Sequence, residues 1–402
     1  MNKATLNPHA VIFGFISVFL TGLGLTIVTP VLPFMVAPYV STSHQATVVT
    51  LLAAAYAAAL FVAAPVLGAL SDRFGRKPVL LLSLVGAAVG YVIFGIGGSL
   101  WLLFIGRVID GLTGGEIAAL FAYFADITPP QQRTRYFGWI SAVVGIGTAL
   151  GPVIGGFLAG FGNSVPFFVG AAISLLNAVY GFFFMPETLD PAKRSFAIRL
   201  SHLNPFSQLH GLFLLPNVKR LLLAGFLLWL PNGSLQAIFS QLSLDSFSWQ
   251  PAVIGLMFAM IGIMDILVQT FVMPSLLRVL NDKQITKLGM LSEISGYLLL
   301  LLSISGKSPL LYIVGMILFS FGDAVFGPAY NGLLSKSANQ AQQGQLLGGA
   351  QSIQALARVA GPLLGGQLYL FSHATPALMG ILGIGTALFV LKTVVPPRVP
   401  TN

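Results

Sequence analysis

The chain has 402 residues, of which 56% are hydrophobic and only 8% charged, and its formal net charge is +9. Soluble domains carry about a quarter of their residues as charges, so this composition excludes one and leaves a polytopic helical membrane protein. The absence of cysteine removes disulfides, thiolate chemistry and cysteine-ligated metals.

Apolar runs long enough to cross a hydrocarbon core of roughly 30 Å as helices fall at 9–32, 46–70, 78–97, 101–125, 136–160 and 165–185. Six more follow at 218–243, 251–277, 284–304, 309–334, 344–370 and 375–395. The first is longer than a signal-peptide core and lacks a small-residue cleavage site, so it reads as a retained helix. Between the two sets lies the polar stretch 186–217, with Glu187, Asp190, Lys193, Arg194 and Arg199. It reads as an interhalf linker with an amphipathic surface helix around 196–213. The expected fold is an all-α membrane protein with twelve transmembrane helices in two six-helix halves, 1–185 and 218–402.

Seventeen Lys and Arg residues fall in the even-numbered gaps and at the termini, Lys307 alone falls on the other side, and Arg107 and Arg358 lie inside runs. The positive-inside bias puts both termini in the cytoplasm, with the chain multi-pass in a plasma (inner) membrane. These cations occupy short gaps and no recognition module accompanies them, so nucleic acid is not an expected partner. Five scattered histidines show no metal-ligand spacing, and neither metal nor cofactor is expected.

Gly151-Pro-Val-Ile-Gly-Gly156 in the fifth run recurs as Gly361-Pro-Leu-Leu-Gly-Gly366 in the eleventh, an offset of 210. At the same offset Pro166 matches Pro376, Gly170 matches Gly380 and Gly138 matches Gly348. Several matches in one register point to duplication. Two parallel six-helix repeats are a transporter construction with its substrate site near the midplane between halves.

The second and third runs are joined by Gly68-Ala-Leu-Ser-Asp-Arg-Phe-Gly-Arg-Lys77, a short charged loop that must lie at a membrane surface. Gly68 and Gly75 permit a tight turn and close helix approach, Asp72 is suited to accept hydrogen bonds at a helix N-terminus, and Arg73 and Lys77 suit positive-inside anchoring. The fourth run holds Arg107-Val-Ile-Asp-Gly111 followed by Gly114-Gly115, then Tyr123-Phe-Ala-Asp-Ile-Thr128. In the fifth, Gly147, Gly151, Gly155 and Gly156 have the spacing that lets helices pack closely, and Pro152 can bend the span.

With these motifs at these places the chain resembles the major facilitator superfamily, and within it the twelve-span drug:proton antiporters that include the tetracycline efflux pumps. The resemblance covers nearly the whole chain. It implies the major facilitator fold, an ion pair of Arg76 with Asp126 that locks the halves in one orientation until it breaks, and a fifth-span bend that sets the seal between halves. It also implies that Arg107 adjusts the proton affinity of a neighbouring carboxylate as substrate arrives. Tetracycline pumps typically carry acids in the first and third spans; here the first has Thr21, Thr26 and Thr29, and the third has no acid.

Charges at the bilayer centre cost several kcal/mol, by roughly even the lowest scales, so acids within spans are where proton chemistry can reside: Asp110, Glu116, Asp265, Glu293 and Asp323. Arg107 and Asp110 share a helical face and either pair or each face the central cavity. Glu116 lies nearly opposite Arg107 around the helix and needs another partner or a proton. Asp323, halfway along the tenth span beside aromatics, suits reversible protonation, and several drug exporters of the resembled family have a tenth-span acid. Asp265 in the eighth span, one turn from Gln269, is the second choice, and Arg358 is a counter-charge for either. Glu293, towards the cytoplasmic end of the ninth span, is within reach of the interface. The candidate substrate lining comprises Trp229, Asn232, Gln236 and Phe239, Tyr330 and Asn331, Gln351 and Gln354, and Phe121 and Tyr123, a surface suited to bulky amphipathic or cationic compounds.

The function expected is proton-coupled efflux of small amphipathic drugs by alternating access, by a monomer whose partners are the substrate, protons and the bilayer. The alternative is export of a metabolite or sugar by the same machinery. A channel or uniporter needs no proton site, and the five membrane acids count against one. No Gly-x-x-x-x-Gly-Lys-Ser/Thr loop supplies ATP drive. With no Gly-x-Ser-x-Gly and no histidine pair within a span, no enzyme is expected.

Overall fold

The computed structural model describes residues 8–114, 117–129, 132–189, 216–337 and 343–394. Its helices are α1 Pro8–Thr26, α2 Leu32–Val36, α3 Thr42–Phe74, α4 Arg76–Ile96, α5 Leu100–Thr113, α6 Ile117–Ile127, α7 Arg133–Leu158 and α8 Val165–Phe184. They continue with α9 Pro216–Phe247, α10 Pro251–Leu267, α11 Met273–Val279, α12 Asp282–Gly306, α13 Pro309–Ser335, α14 Gln343–Phe371 and α15 Thr375–Lys392. A π-helical turn, Val268–Val272, joins α10 to α11. With α5 and α6 taken as the fourth span and α10 and α11 as the eighth, these helices make the twelve-span fold; ten spans among the described residues meet both the length and the apolarity needed to cross a membrane.

Three boundaries differ from the sequence-based ones, each for a local reason. The first helix stops at Thr26 rather than Leu32, because Pro30 and Pro33 cannot continue it; Pro33 instead sits in the first turn of α2. The second helix runs to Phe74, so the expected loop shrinks to Gly75, whose φ of 108° strains any residue but glycine. The seventh runs to Phe247, which takes Asp245 out of a gap and into a helix. Most of the linker, including Asp190, Lys193, Arg194, Arg199 and the expected surface helix, lies outside the described residues, as does Glu116.

The chain divides into two compact units. One comprises Met1–Val40, Ala55–Pro205 and Gln250–Ala259, the other Ser41–Ala54, Phe206–Trp249 and Met260–Asn402.

In the first unit, α7 lies against α1 so closely that a Cβ on Gly151 would fall 2.8 Å from the Leu23 carbonyl oxygen, and Thr26 Oγ1 donates to the Thr148 carbonyl at 2.8 Å. Phe13, Tyr123, Phe124 and Ile140, all fully buried, form the core beside this contact. In the second unit, α14 lies against α9 in the same way: a Cβ on Gly361 would fall 2.6 Å from the Leu230 carbonyl oxygen. The repeated hexapeptide thus plays one packing part twice. Its register extends further, since Gly170 of α8 leaves room for the Tyr91 ring of α4, and Gly380 of α15 for the Tyr297 ring of α12.

Candidate functional site

Arg76, the first residue of α4, is only 7% exposed and gathers the motif around itself. Its Nη1 donates to Asp72 Oδ1 at 2.6 Å and to Ser71 Oγ at 3.0 Å, and its Nε to Asp126 Oδ2 at 3.2 Å. Thr188 Oγ1 donates to the same Asp126 oxygen. The anion at the N-terminus of α4 is Glu187, not Asp72: the backbone N–H groups of Arg76 and Lys77 donate to its Oε1 at 2.9 Å and Oε2 at 3.2 Å. Asp72 is taken up instead by Arg76, one turn further along the chain. Lys77 reaches the carbonyls of Phe182 and Met185, each at 2.8 Å, a cation at the carbonyl-bearing end of α8, and so does more than anchor to the interface. Arg73 lies over the Phe74 ring at 5.2 Å. No neighbour lies within 4 Å of a Cβ built on Gly68, so packing among the described residues does not explain that glycine. Arg76 and Asp126 both belong to the first unit, so the ion pair joins helices within one unit; the sequence-based expectation had it locking two halves.

Deeper in the same unit, Arg107 Nη1 pairs with Asp110 Oδ2 at 2.8 Å with both residues buried, and the guanidinium stacks 4.0 Å from the centroid of Tyr56. Pairing, one of the two alternatives for these residues, is what the structure contains. A small open cavity brings Asp110 together with Thr21, Tyr56, Tyr91 and Ser174. In α7, Gly147 and Gly151 face the backbone of α1 and Gly155 the Ile27 carbonyl just past its end, while Gly156 faces the Pro251 carbonyl, and Pro152 sits inside a continuous helix.

The second unit holds the other membrane acids among the described residues. Asp323 and Arg358 are exposed on it, as are Asp265 and Gln269. Asp265 and Arg358 are both near enough to act on Asp323 electrostatically. Gln269 Nε2 donates to the Ala324 carbonyl at 2.7 Å, tying the π-helical turn to α13 beside Asp323. Asn232 Nδ2 donates to Asp323 Oδ1 at 3.4 Å, and Tyr297 OH donates to Asn232 Oδ1 at 3.1 Å. Glu293 does not reach the interface. It is the twelfth residue of a helix that begins at Asp282, it is fully buried, and neither of its oxygens has a hydrogen-bond partner among the described residues.

The expected substrate residues separate into two groups. Gln236, Asn331 and Gln351 are exposed, and Trp229, Asn232, Gln354 and Phe121 are half-buried. Phe239, Tyr330 and Tyr123 belong to the interior: Phe239 stacks on Tyr312, Tyr330 OH donates to the Leu221 carbonyl, and Tyr123 OH to the Ala10 carbonyl. Tyrosine and phenylalanine in spans look alike in sequence whether they line a cavity or fill a core, and here the satisfied hydroxyls mark the core. Sequence reasoning missed Tyr297 and the capping part of Glu187; the first lies four residues after Glu293, on the same helical face. Among the described residues no cluster of His, Asp and Glu is built to hold a metal.

The sequence profile of the Major Facilitator Superfamily matches residues 14–362 and 221–402. The class C tetracycline resistance protein of Escherichia coli is 36% identical over 369 residues, covering 92% of this chain and 91% of its own. Multidrug resistance protein 2 of Bacillus subtilis (strain 168) is 29% identical over 95% of this chain and 96% of its own. Among solved structures, the human organic anion transporter superposes with a TM-score of 0.69 at 24% identity, covering 96% of this chain and 99% of that one.

Proposed function

The chain belongs to the major facilitator superfamily, and on that premise we propose that it is a proton-coupled antiporter that exports small amphipathic drugs by alternating access across the plasma (inner) membrane. The observation that carries the proposal is the exposed group of Asp265, Asp323 and Arg358 on membrane-spanning helices of one unit. Charges at membrane depth are costly against lipid, so such a face favours contact with water, protons and substrate. The similarity to tetracycline and multidrug resistance proteins supports drugs as the cargo.

In this reading Asp323, with Asp265 and Glu293, holds and releases the transported proton, and Arg358 offsets their charge. Arg107 and Asp110 form a second charged centre in the first unit, to which Glu116 belongs in sequence. The Gly68 to Lys77 motif with Asp126 gates the cytoplasmic side, and Gly147, Gly151, Pro152, Gly155 and Gly156 set the seal. Trp229, Gln236, Asn331, Gln351 and Gln354 contact the substrate. The protein carries its cargo unchanged, works as a monomer and keeps both termini in the cytoplasm, and its halves are 1–185 and 218–402. The exposed amides Gln236, Asn331 and Gln351 favour one further reading, export of an uncharged metabolite or sugar by the same machinery.

Efflux of ethidium and of tetracycline from cells expressing the wild type and Asp323→Asn, with and without a protonophore, tests the assignment. Efflux that requires both the gradient and Asp323 supports it. Gradient-independent efflux sinks it, and transport of polyols but neither drug moves it to the second reading.

A further inference from the structure

Four helices of the second unit meet around one amide. Asn232 of α9 donates through Nδ2 to Asp323 of α13 and accepts at Oδ1 from the Tyr297 hydroxyl of α12. The Tyr297 ring is held in turn by α15, where Gly380 leaves the space it occupies. With its oxygen accepting from a phenolic O–H, the amide turns its two N–H donors towards the carboxyls, Asp323 at 3.4 Å and Glu293 further off. Glu293 stands one helical turn before Tyr297 and directly under Asp323's neighbour, since a Cβ on Gly322 would fall 2.7 Å from Glu293 Cγ. Glu293 and Asp323 act on each other electrostatically.

Charge counting restricts what this group can hold. The carboxyls are Asp265 of α10, Glu293 and Asp323, and the cation acting on Asp323 is Arg358 of α14. Asp265 is exposed and can keep its charge against water; between the other two, one guanidinium balances one carboxylate, and a further negative charge on the buried Glu293 is strongly disfavoured. Asp323 has an N–H donor and a nearby cation to hold a charge, whereas Glu293 is fully buried with no donor at hydrogen-bond distance among the described residues and only the Asn232 amide turned towards it from further off. A carboxylate so placed has little to replace its lost hydration.

Given the proton-coupled reading above, we propose that Asp323 and Glu293 share one proton as a linked pair, and that Asn232, oriented by Tyr297, is the positioning residue that divides proton from charge between them. Glu293 stores the proton out of contact with solvent while Asp323 presents the charge at the exposed face. A compound that engages Asp323 thereby changes what Glu293 can hold without touching it. Asn232, expected from sequence to touch substrate, instead acts through the acid.

The test is a pH titration of protonated-carboxyl infrared absorption by the full-length protein in lipid vesicles. The Asp323 signal is the one lost in Asp323→Asn. In Glu293→Gln its midpoint is expected to move by at least about one pH unit, a tenfold change in proton affinity, and Asn232→Leu is expected to move it comparably. Asn232→Gln, which keeps an amide, should restore most of the wild-type midpoint. Should Asn232→Leu fail to fold, Tyr297→Phe removes only the hydroxyl that orients the amide and should still shift it. An Asp323 midpoint that ignores Glu293→Gln, or one that ignores both Asn232→Leu and Tyr297→Phe, overturns the proposal. The titration needs no transported compound. A linked pair in a protein that moves no protons with drug would therefore overturn the antiport reading alone, and coupled transport with independent titrations would overturn the pair alone.

Discussion

Glu187 and Arg76 are 111 residues apart, and the Arg76 backbone N–H donates to the Glu187 carboxylate at 2.9 Å. The same carboxylate takes the Lys77 N–H on its other oxygen, so the segment that follows α8 caps the N-terminus of α4. Four N–H groups at a helix start lack partners within the helix, and an anion there is favoured both by hydrogen bonding and by the helix dipole. Glu187→Ala is therefore expected to cost about 1–2 kcal/mol, read as a lowered thermal midpoint of the purified protein. Glu187→Gln, which keeps an acceptor and loses the charge, should fall between.

Arg76 contacts Ser71, Asp72 and Asp126 at once, a set that needs the forked guanidinium. Arg76→Lys keeps the charge but cannot reproduce that geometry. Efflux is expected to fall about tenfold or more, the equivalent of roughly 1.4 kcal/mol or more, at near-normal surface expression. Asp126→Asn should act in the same direction. Unchanged efflux in both would remove the gating assignment.

The buried Arg107–Asp110 pair calls for a double-variant experiment. Asp110→Asn alone leaves a buried guanidinium without its anion, which costs about 3–5 kcal/mol and should appear as poor yield of folded protein. Replacing both residues by leucine should recover yield, because an apolar pair of similar volume is often neutral. If transport stays absent in the recovered protein, the pair has a part beyond folding.

Gly151 and Gly145 separate packing from mere small size on one helix. A Cβ at Gly151 meets α1 backbone, whereas at Gly145 nothing lies within 4 Å. Gly151→Leu is expected to abolish folded expression, and Gly145→Ala to be silent, as judged by membrane yield and monodispersity after extraction.

How far the sequence alone could be read follows from which interactions are local. Span positions follow from hydropathy, because twenty apolar residues leave few alternatives in a bilayer. The hexapeptide repeat was legible too, and its two copies do the same packing on α1 and α9. Helix ends were less legible: the run of charges at Asp72 and Arg73 looks like a loop, yet α3 carries both and ends only at Phe74. Long-range partners were legible only where the family resemblance supplied them, as for Arg76 and Asp126. Glu187 sits in what reads as a polar linker, and only folding brings it to α4. Tyr330 and Tyr123 offered no sign that their hydroxyls would find backbone carbonyls rather than substrate. Glu293 reads from the sequence as close to the cytoplasmic end of its span, whereas the helix that begins at Asp282 puts it three turns in.

The most direct measurement of the central claim is drug-driven proton movement by the purified protein in sealed vesicles with a trapped pH dye. Adding ethidium or tetracycline to the wild type should move protons in the direction opposite to the drug, and Asp323→Asn should abolish that movement. Drug uptake with no accompanying proton flux in the wild type would contradict proton-coupled antiport.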